Sequence, residues 1–375
     1  MMVFVFICIT LAYLFLIGSL VVGFDKVKPF PFQEIPSKTK FSIIIPFRNE
    51  AENLPTLLLS LKKLQYPEDL FEVILVDDAS TDHSLEIVNA FISQTKFNIR
   101  TIKNNKATEA PKKEAITSGI LLAKHEWIIT TDADCKLPKF WLDTFDQYIQ
   151  KNKTSFIVAP VTYEVHDSFI NRFQLLDFLS LQGATIGGFG LGKPFLCNGA
   201  NLAYKKSLFK SVNGFYGNTN IASGDDIFML EKALIKNIKS VHYLKNHNAI
   251  ISTKPEETIN GLISQRVRWA SKTSVSKNRM TKSIGFTVLL MNASIICLFI
   301  LSCLGAFPFK LFLCLFLIKL SIDFLLLFKT IRFFNQETYL SAFVLCSFLY
   351  PFSSVYIVFV SVFNGYKWKG RAFSK

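Results

Sequence analysis

Short apolar runs alternate with amphipathic stretches through the middle of the chain, and long apolar runs bracket that region. Residues 41–46, 71–76, 98–102, 127–130 and 156–161 are short and mostly rich in β-branched and aromatic side chains. Runs of this kind predict strands buried on both faces of a sheet. Between them, residues 50–64 carry Leu54, Leu57, Leu58 and Leu61 at helical spacing, and residues 84–94 and 112–123 also read as helices. Strands and helices alternating at these intervals predict βαβ units and a mainly parallel, doubly wound α/β sheet. Residues 30–36 read as an extended linker, and residues 182–192, with five glycines, as a flexible loop or a close approach of backbone to a ligand.

The bracketing runs are of another kind. Residues 2–24 and 284–309 contain no Asp, Glu, Lys, Arg or His, and residues 311–328 and 339–363 are similarly apolar. Each of the first two is long enough, as a helix, to cross about 30 Å of hydrocarbon. The first lacks the basic n-region and the small-residue cleavage site of a secretory signal, so a retained anchor is expected. Lys319 and Asp323, four apart inside the third run, share a helix face and are expected to pair. One span before the soluble region and three after it would put the tail outside a membrane whose inner side holds that region. The basic residues Lys367, Lys369, Arg371 and Lys375 argue for a tail inside, and a break of the last run at Pro351 into a re-entrant pair reconciles the two.

Composition narrows the compartment. The formal charge is +14, from 42 Lys and Arg against 28 Asp and Glu. Much of the basic charge lies beside the spans, at Lys26, Lys28, Lys38 and Lys40 and again at Lys272, Lys277, Arg279 and Lys282. That is the positive-inside pattern rather than a nucleic-acid surface, and it puts the soluble region in the cytoplasm at an inner (cell) membrane. Of the seven cysteines, only Cys135 and Cys197 lie outside the apolar runs, with no zinc-type spacing and no disulfide framework.

The chemistry gathers where strands end. Residues 127–130 run into Asp132-Ala133-Asp134, and residues 71–76 run into Asp77-Asp78. In open α/β sheets the ligand crevice lies beyond the carboxyl ends of the strands, and paired carboxylates there suit a hard divalent cation. Asp77 and Asp78 could equally cap a helix. No Gly-x-Gly-x-x-Gly follows the first strand and no Walker lysine loop occurs, which counts against the dinucleotide-oxidoreductase and P-loop NTPase classes.

Six blocks in order resemble a membrane-bound family 2 glycosyltransferase of GT-A fold: Ile45-Pro46-Phe47-Arg48-Asn49-Glu50, Val76-Asp77-Asp78-Ala79-Ser80, residues 112–119, Asp132-Ala133-Asp134, Gly224-Asp225-Asp226, and Gln265-Arg266-Val267-Arg268-Trp269 as Gln-x-x-Arg-Trp. The resemblance implies an inverting, metal-assisted enzyme that moves a sugar from a nucleotide-diphosphate donor to a lipid or lipid-linked glycan. It implies that Pro46, Glu50, Asp77, Asp78, Lys112 and Asp132 bind the nucleotide sugar, and that Asp132 and Asp134 hold Mg2+ or Mn2+. Asp226 is then the general base, with Asp225 as the alternative or as an acceptor-positioning group, and Gln265, Arg268 and Trp269 close over diphosphate and acceptor. Some relatives carry His where this chain has Cys135, and no metal role is carried onto that thiol.

The boundaries implied are an anchor at 1–24, a linker at 25–40, a GT-A domain at 41–240, a membrane-interface segment at 241–283, about three apolar segments over 284–363 and a basic tail at 364–375. A processive polysaccharide synthase is the competing enzyme, because Gln-x-x-Arg-Trp occurs in those as well. A non-catalytic membrane scaffold is the reading from another class, and repeated carboxylates at strand ends count against it.

Overall fold

A computed structural model describes residues 2–104, 110–219, 221, 223–363, 366–368 and 371–373, the last two stretches and residues 273–274 as backbone only. Lys369 and Lys375 of the expected basic tail lie outside the described residues, and the backbone on either side of Lys369 forms two short antiparallel strands, Tyr366–Trp368 and Arg371–Phe373. The chain divides into two compact units, one comprising residues 28–164 and 197–254, the other residues 1–27, 165–196 and 255–375.

The first unit is built on a seven-stranded sheet. In chain order its elements are β1 (Phe41–Phe47), α2 (Leu54–Lys62), β2 (Phe71–Asp77), α3 (Ser84–Ile92), β3 (Asn98–Lys103), α4 (Pro111–Leu122), β4 (Trp127–Thr130), α5 (Trp141–Lys151), β5 (Phe156–Val158), β6 (Val161–Tyr163), β7 (Leu202–Lys205), α7 (Lys206–Ser211), α8 (Asp225–Asn237), β8 (Val241–Tyr243) and β9 (Ile251–Thr253), with α1 and α6 belonging to the other unit. The strand order is β3-β2-β1-β4-β7-β5-β8. β1 to β4 are mutually parallel, whereas β7 runs antiparallel between β4 and β5. β1 and β2 are buried almost throughout and β4 entirely, as their unbroken apolar runs predict. The expected strand over 156–161 is interrupted at Ala159-Pro160, and β6 leaves the main sheet to pair with β9. Pro160 has no N–H to give a ladder.

Sequential strands pair outward from β1 to β2 to β3, and then β4 takes the other side of β1. The switch of direction falls between β1 and β4, so the crevice beyond their carboxyl ends is where a ligand is expected. Pro46 lies past the last β1–β4 pair, Ile44 with Thr130, where a missing N–H removes no bond to β4. The expected linker is tied to the sheet-bearing unit. The Lys38 and Thr39 amides donate to the Asp146 carboxylate, and Phe30 exchanges hydrogen bonds with Lys245 and Asn246.

The second unit is helical: α1 (Met2–Lys26), α6 (Phe169–Gly190), α9 (Ile259–Val275), α10 (Arg279–Cys303), α11 (Phe309–Phe333) and α12 (Phe343–Phe363). Among the described residues four helices are long and apolar enough to cross a membrane: α1, α10, α11, and the stretch Glu337–Phe363 that contains α12. Pro351 does not split the last run: it sits inside one helix. Neighbouring helices and side chains can re-satisfy the backbone groups a proline frees in such a setting.

The glycine-rich stretch is also not a loop. Residues 183–190 complete α6, and a Cβ on Gly187 would stand 2.5 Å from the Leu20 carbonyl oxygen of α1. Glycine here lets two helix backbones approach to contact, the small-residue packing used where no hydrophobic effect drives helices together. Lys319 Nζ meets Asp323 Oδ2 at 2.7 Å, as expected from their spacing, and the Tyr13 hydroxyl donates to the other carboxylate oxygen at 2.6 Å. These three groups line a cavity of about 170 Å³ whose other walls include Leu20, Leu326 and Leu327. Replacing Lys319 and Asp323 by Leu, singly and together, should give a coupling energy of about 1–3 kcal/mol in thermal unfolding of the detergent-solubilised protein. Additive losses would mean the pair is not coupled.

Candidate active site

β1 and β2 deliver their acidic residues to adjoining turns. After β1, Asn49 adopts φ +50°, and after β2, Ala79 adopts φ +57°, left-handed turns that stop both strands within two residues of each other in register. Glu50, Asp77 and Asp78 are all buried there. The Glu50 carboxylate accepts from Asn53 Nδ2 at 2.8 Å, and its amide donates to Ser84 Oγ. Asp77 Oδ1 accepts the Ser80 amide at 2.9 Å, a local turn contact that buttresses the loop. Asp78 Oδ1 instead receives the Asn104 side-chain amide at 2.9 Å, from the end of β3. Asn104, which no motif marks, thereby joins the candidate site; its signal is position, one residue past a parallel strand.

Two of the expected site residues, from separate elements, converge on the ammonium of a third. Lys112, at the start of α4, places Nζ 2.7 Å from Asp132 Oδ1 and 3.2 Å from Asp225 Oδ2. The lysine side chain is 19% exposed and Asp132 34%. Burial alone pulls the Lys112 pKa down, but the charges of Asp132 and Asp225 outweigh it and hold the ammonium above the usual lysine range. Gly199 backs this contact: a Cβ there would lie 2.9 Å from Asp225 Oδ2 and 3.5 Å from Lys112 Nζ. The adjacent Lys113 points elsewhere. It is buried, donates to the carbonyls of Asn218 at 2.8 Å and Ile221 at 2.7 Å, and lies over the Phe228 ring. It thereby fixes the segment that leads into α8.

Gly224 begins that helix with φ +88°, a left-handed turn open to glycine. Asp225 and Asp226 follow as its first two residues, both buried, where the helix dipole favours negative charge. Asp226 Oδ1 accepts the Ile227 amide at 2.8 Å. On β7, burial and the Asp225 charge push the Tyr204 phenol up, so it stays protonated beside the site.

Cys135 is buried, its Sγ 3.6 Å from Asp134 Oδ1, and burial with the Asp134 and Asp132 charges raises its pKa well above the usual thiol value. A protonated thiol is no ligand for a hard cation. Among the described residues no three His, Cys, Asp or Glu side chains converge as a metal cage. The two carboxylates expected to hold a divalent cation, Asp132 and Asp134, both follow β4, and their hard oxygen donors are of the kind that Mg2+ and Mn2+ prefer.

Gln265, Arg268 and Trp269 lie on α9 in the helical unit. Gln265 donates to Glu256 at 3.0 Å, and Arg266 pairs with Asp177 at 2.6 Å and stacks over Trp269 at 4.2 Å. Trp269 also meets Phe178 at 6.0 Å. Arg266, with no role assigned from sequence, thus organises this block; its position between two named motif residues was the available signal.

Residues 42–212 match the family model for glycosyl transferase family 2. The poly-β-1,6-N-acetyl-D-glucosamine synthase of Staphylococcus epidermidis is 27% identical over 266 residues, 68% of this chain and 61% of that protein. The chain thus spans about three-fifths of the length of this relative. The undecaprenyl-phosphate 4-deoxy-4-formamido-L-arabinose transferase of Yersinia enterocolitica is 36% identical over 103 residues, 26% of this chain and 30% of that protein. In fold, the chain is similar to a mannosyltransferase from Pyrobaculum calidifontis solved in complex with GDP-Man and Mn2+. The TM-score is 0.59 at 16% identity, with 93% of this chain and 99% of that one covered.

Proposed function

We propose that the chain, whose residues 42–212 match the family model for glycosyl transferase family 2 and whose fold is similar to that of a solved mannosyltransferase, transfers a sugar, with inversion, from a nucleotide-diphosphate donor to a membrane-associated lipid or lipid-linked glycan. The observation that carries this reading is the convergence of Asp132, Lys112 and Asp225 beyond the carboxyl end of β4. An acidic strand end and an acidic helix start placed on one cation suit a donor diphosphate on one side and an acceptor hydroxyl on the other.

Glu50, Asp78 and Asn104 offer acceptors and donors for base and ribose, Pro46 shapes the turn beside them, and Asp77 holds the loop. Asp226 takes the proton of the acceptor hydroxyl as its oxygen attacks the anomeric carbon, and the bond from that carbon to the diphosphate oxygen breaks on the opposite face. One base and one leaving group on opposite faces give a single displacement. Asp225 positions the acceptor. Mg2+ or Mn2+, held by Asp132 and Asp134, would supply Lewis-acid charge against the departing nucleoside diphosphate. Arg268 brings a planar phosphate-binding fork, and Trp269 a flat face for a sugar ring. The four candidate spans and the basic residues beside them suit an inner-membrane, multi-pass protein whose catalytic domain is cytoplasmic.

Membranes containing the protein, given radiolabelled UDP- or GDP-sugars, should transfer label to a lipid-extractable or glycan product, and EDTA should abolish transfer until Mn2+ or Mg2+ is restored. No transfer from any donor sinks the reading; transfer unaffected by EDTA sinks its metal component. The name of the Staphylococcus epidermidis relative favours a second reading, a processive synthase. Product length separates them: single addition gives one discrete species, polymerisation a ladder.

A further inference from the structure

The adjacent lysines Lys112 and Lys113 divide two tasks at the start of α4. The ammonium of Lys113 is spent on backbone carbonyls, holding the segment before α8. The ammonium of Lys112 is spent on two carboxylates from elements 93 positions apart in the chain, Asp132 and Asp225. Two carboxylates brought to one point repel unless a cation lies between them, and Gly199 leaves the room in which this one sits. Asp132 is also the carboxylate offered to the divalent cation, so one carboxylate, whose Oδ1 the ammonium holds, serves two cations.

The geometry points to Lys112 as the counter-ion shared by Asp132 and Asp225: a divalent cation on Asp132 must compete with its ammonium, and moving that ammonium also breaks its pair with Asp225. This inference rests on the reading of Asp132 as a metal carboxylate. Its consequence is an order of events. While Lys112 holds Asp225, that carboxylate is committed to the ammonium and not to an acceptor hydroxyl. Once cation and diphosphate occupy the site, the ammonium has a new anionic partner, the diphosphate itself, and no longer holds Asp225. Lys113 keeps the helix start in place while its neighbour moves. No covalent bond changes; the two ion pairs of Lys112 give way to a cation–Asp132 contact and a Lys112–diphosphate pair.

The test uses full-length protein in detergent and Mn2+ alone, with free Mn2+ read from its electron paramagnetic resonance signal. Lys112→Met and Lys112→Gln should each bind Mn2+ about threefold to tenfold more tightly than the unaltered protein, the scale of a half-buried ion pair removed from competition. Lys113→Met removes an equal charge one residue away and should change Mn2+ affinity by less than about twofold. Circular dichroism identifies which variants fold, and either Lys112 variant suffices. If the Lys112 variants bind Mn2+ no more tightly, or Lys113→Met tightens it equally, the counter-ion role is overturned while the metal site stands. If the unaltered protein binds no Mn2+, or Asp132→Asn binds it equally well, the reading of the metal site itself falls.

Discussion

Asp226→Asn should reduce kcat by about 10²–10⁴-fold while leaving donor affinity within about twofold. The substitution keeps shape and volume, and its amide oxygen can still accept the Ile227 N–H that orients the carboxylate now. What it removes is the capacity to take a proton. The loss should appear in the chemical step at saturating donor and acceptor, with nucleotide-sugar binding measured separately by calorimetry. Asp225→Asn serves as the comparison: it leaves the base intact but withdraws one of the two partners of Lys112, so it should disturb donor and acceptor KM more than kcat. An active Asp226→Asn beside a dead Asp225→Asn would exchange the two assignments.

Gly187→Leu should prevent the helical unit from assembling, a loss of more than about 3 kcal/mol. Three glycines form the contact. A Cβ on Gly187 would stand 2.5 Å from the Leu20 carbonyl oxygen, one on Gly23 2.1 Å from the Gly187 oxygen, and one on Gly190 1.8 Å from the Gly23 oxygen. The atoms met are backbone, so no side chain can rotate away; the helices must separate. Size-exclusion profiles of detergent extracts should show aggregated or absent protein for Gly187→Leu. Gly192→Ala is the control, since nothing lies within 4 Å of its Cβ and its φ of +67° should limit the loss to about 1 kcal/mol. A monodisperse Gly187→Leu protein with an unchanged melting temperature would show that the two helices are not packed in this way.

What the sequence disclosed and what it concealed divide along a physical line. β1, β2 and β4 were legible because a strand buried on both faces leaves a short unbroken apolar run, and the carboxylates at their ends could be placed by the rule for parallel sheets. Residues 183–190 were not legible, because glycine frequency reads as backbone freedom in water, whereas against α1 the same glycines are the condition for close packing. The pairings of Lys112 and Lys113 were beyond reach for a different reason. A lysine at a helix start has the same local signature whether it faces solvent, a carboxylate 20 residues on or a carbonyl 105 residues on. Asn104 shows the same limit: its partner is fixed by strand order, which no local pattern encodes.

The placement of β7 has a consequence for how the chain is made. β4 and β5 come off the ribosome early, yet the strand that joins them, Leu202–Lys205, is synthesised only after α6 has been completed. Until then the nascent chain carries an apolar sheet edge at β4 with every outward amide and carbonyl unpaired, the kind of edge that recruits other chains. A ribosome stalled before residue 202 therefore presents a protein with an open sheet, and one stalled after residue 205 a protein whose gap can close. Vectorial synthesis sets a waiting period here, over the stretch of chain from β5 to β7 that includes β6 and the glycine-striped helix.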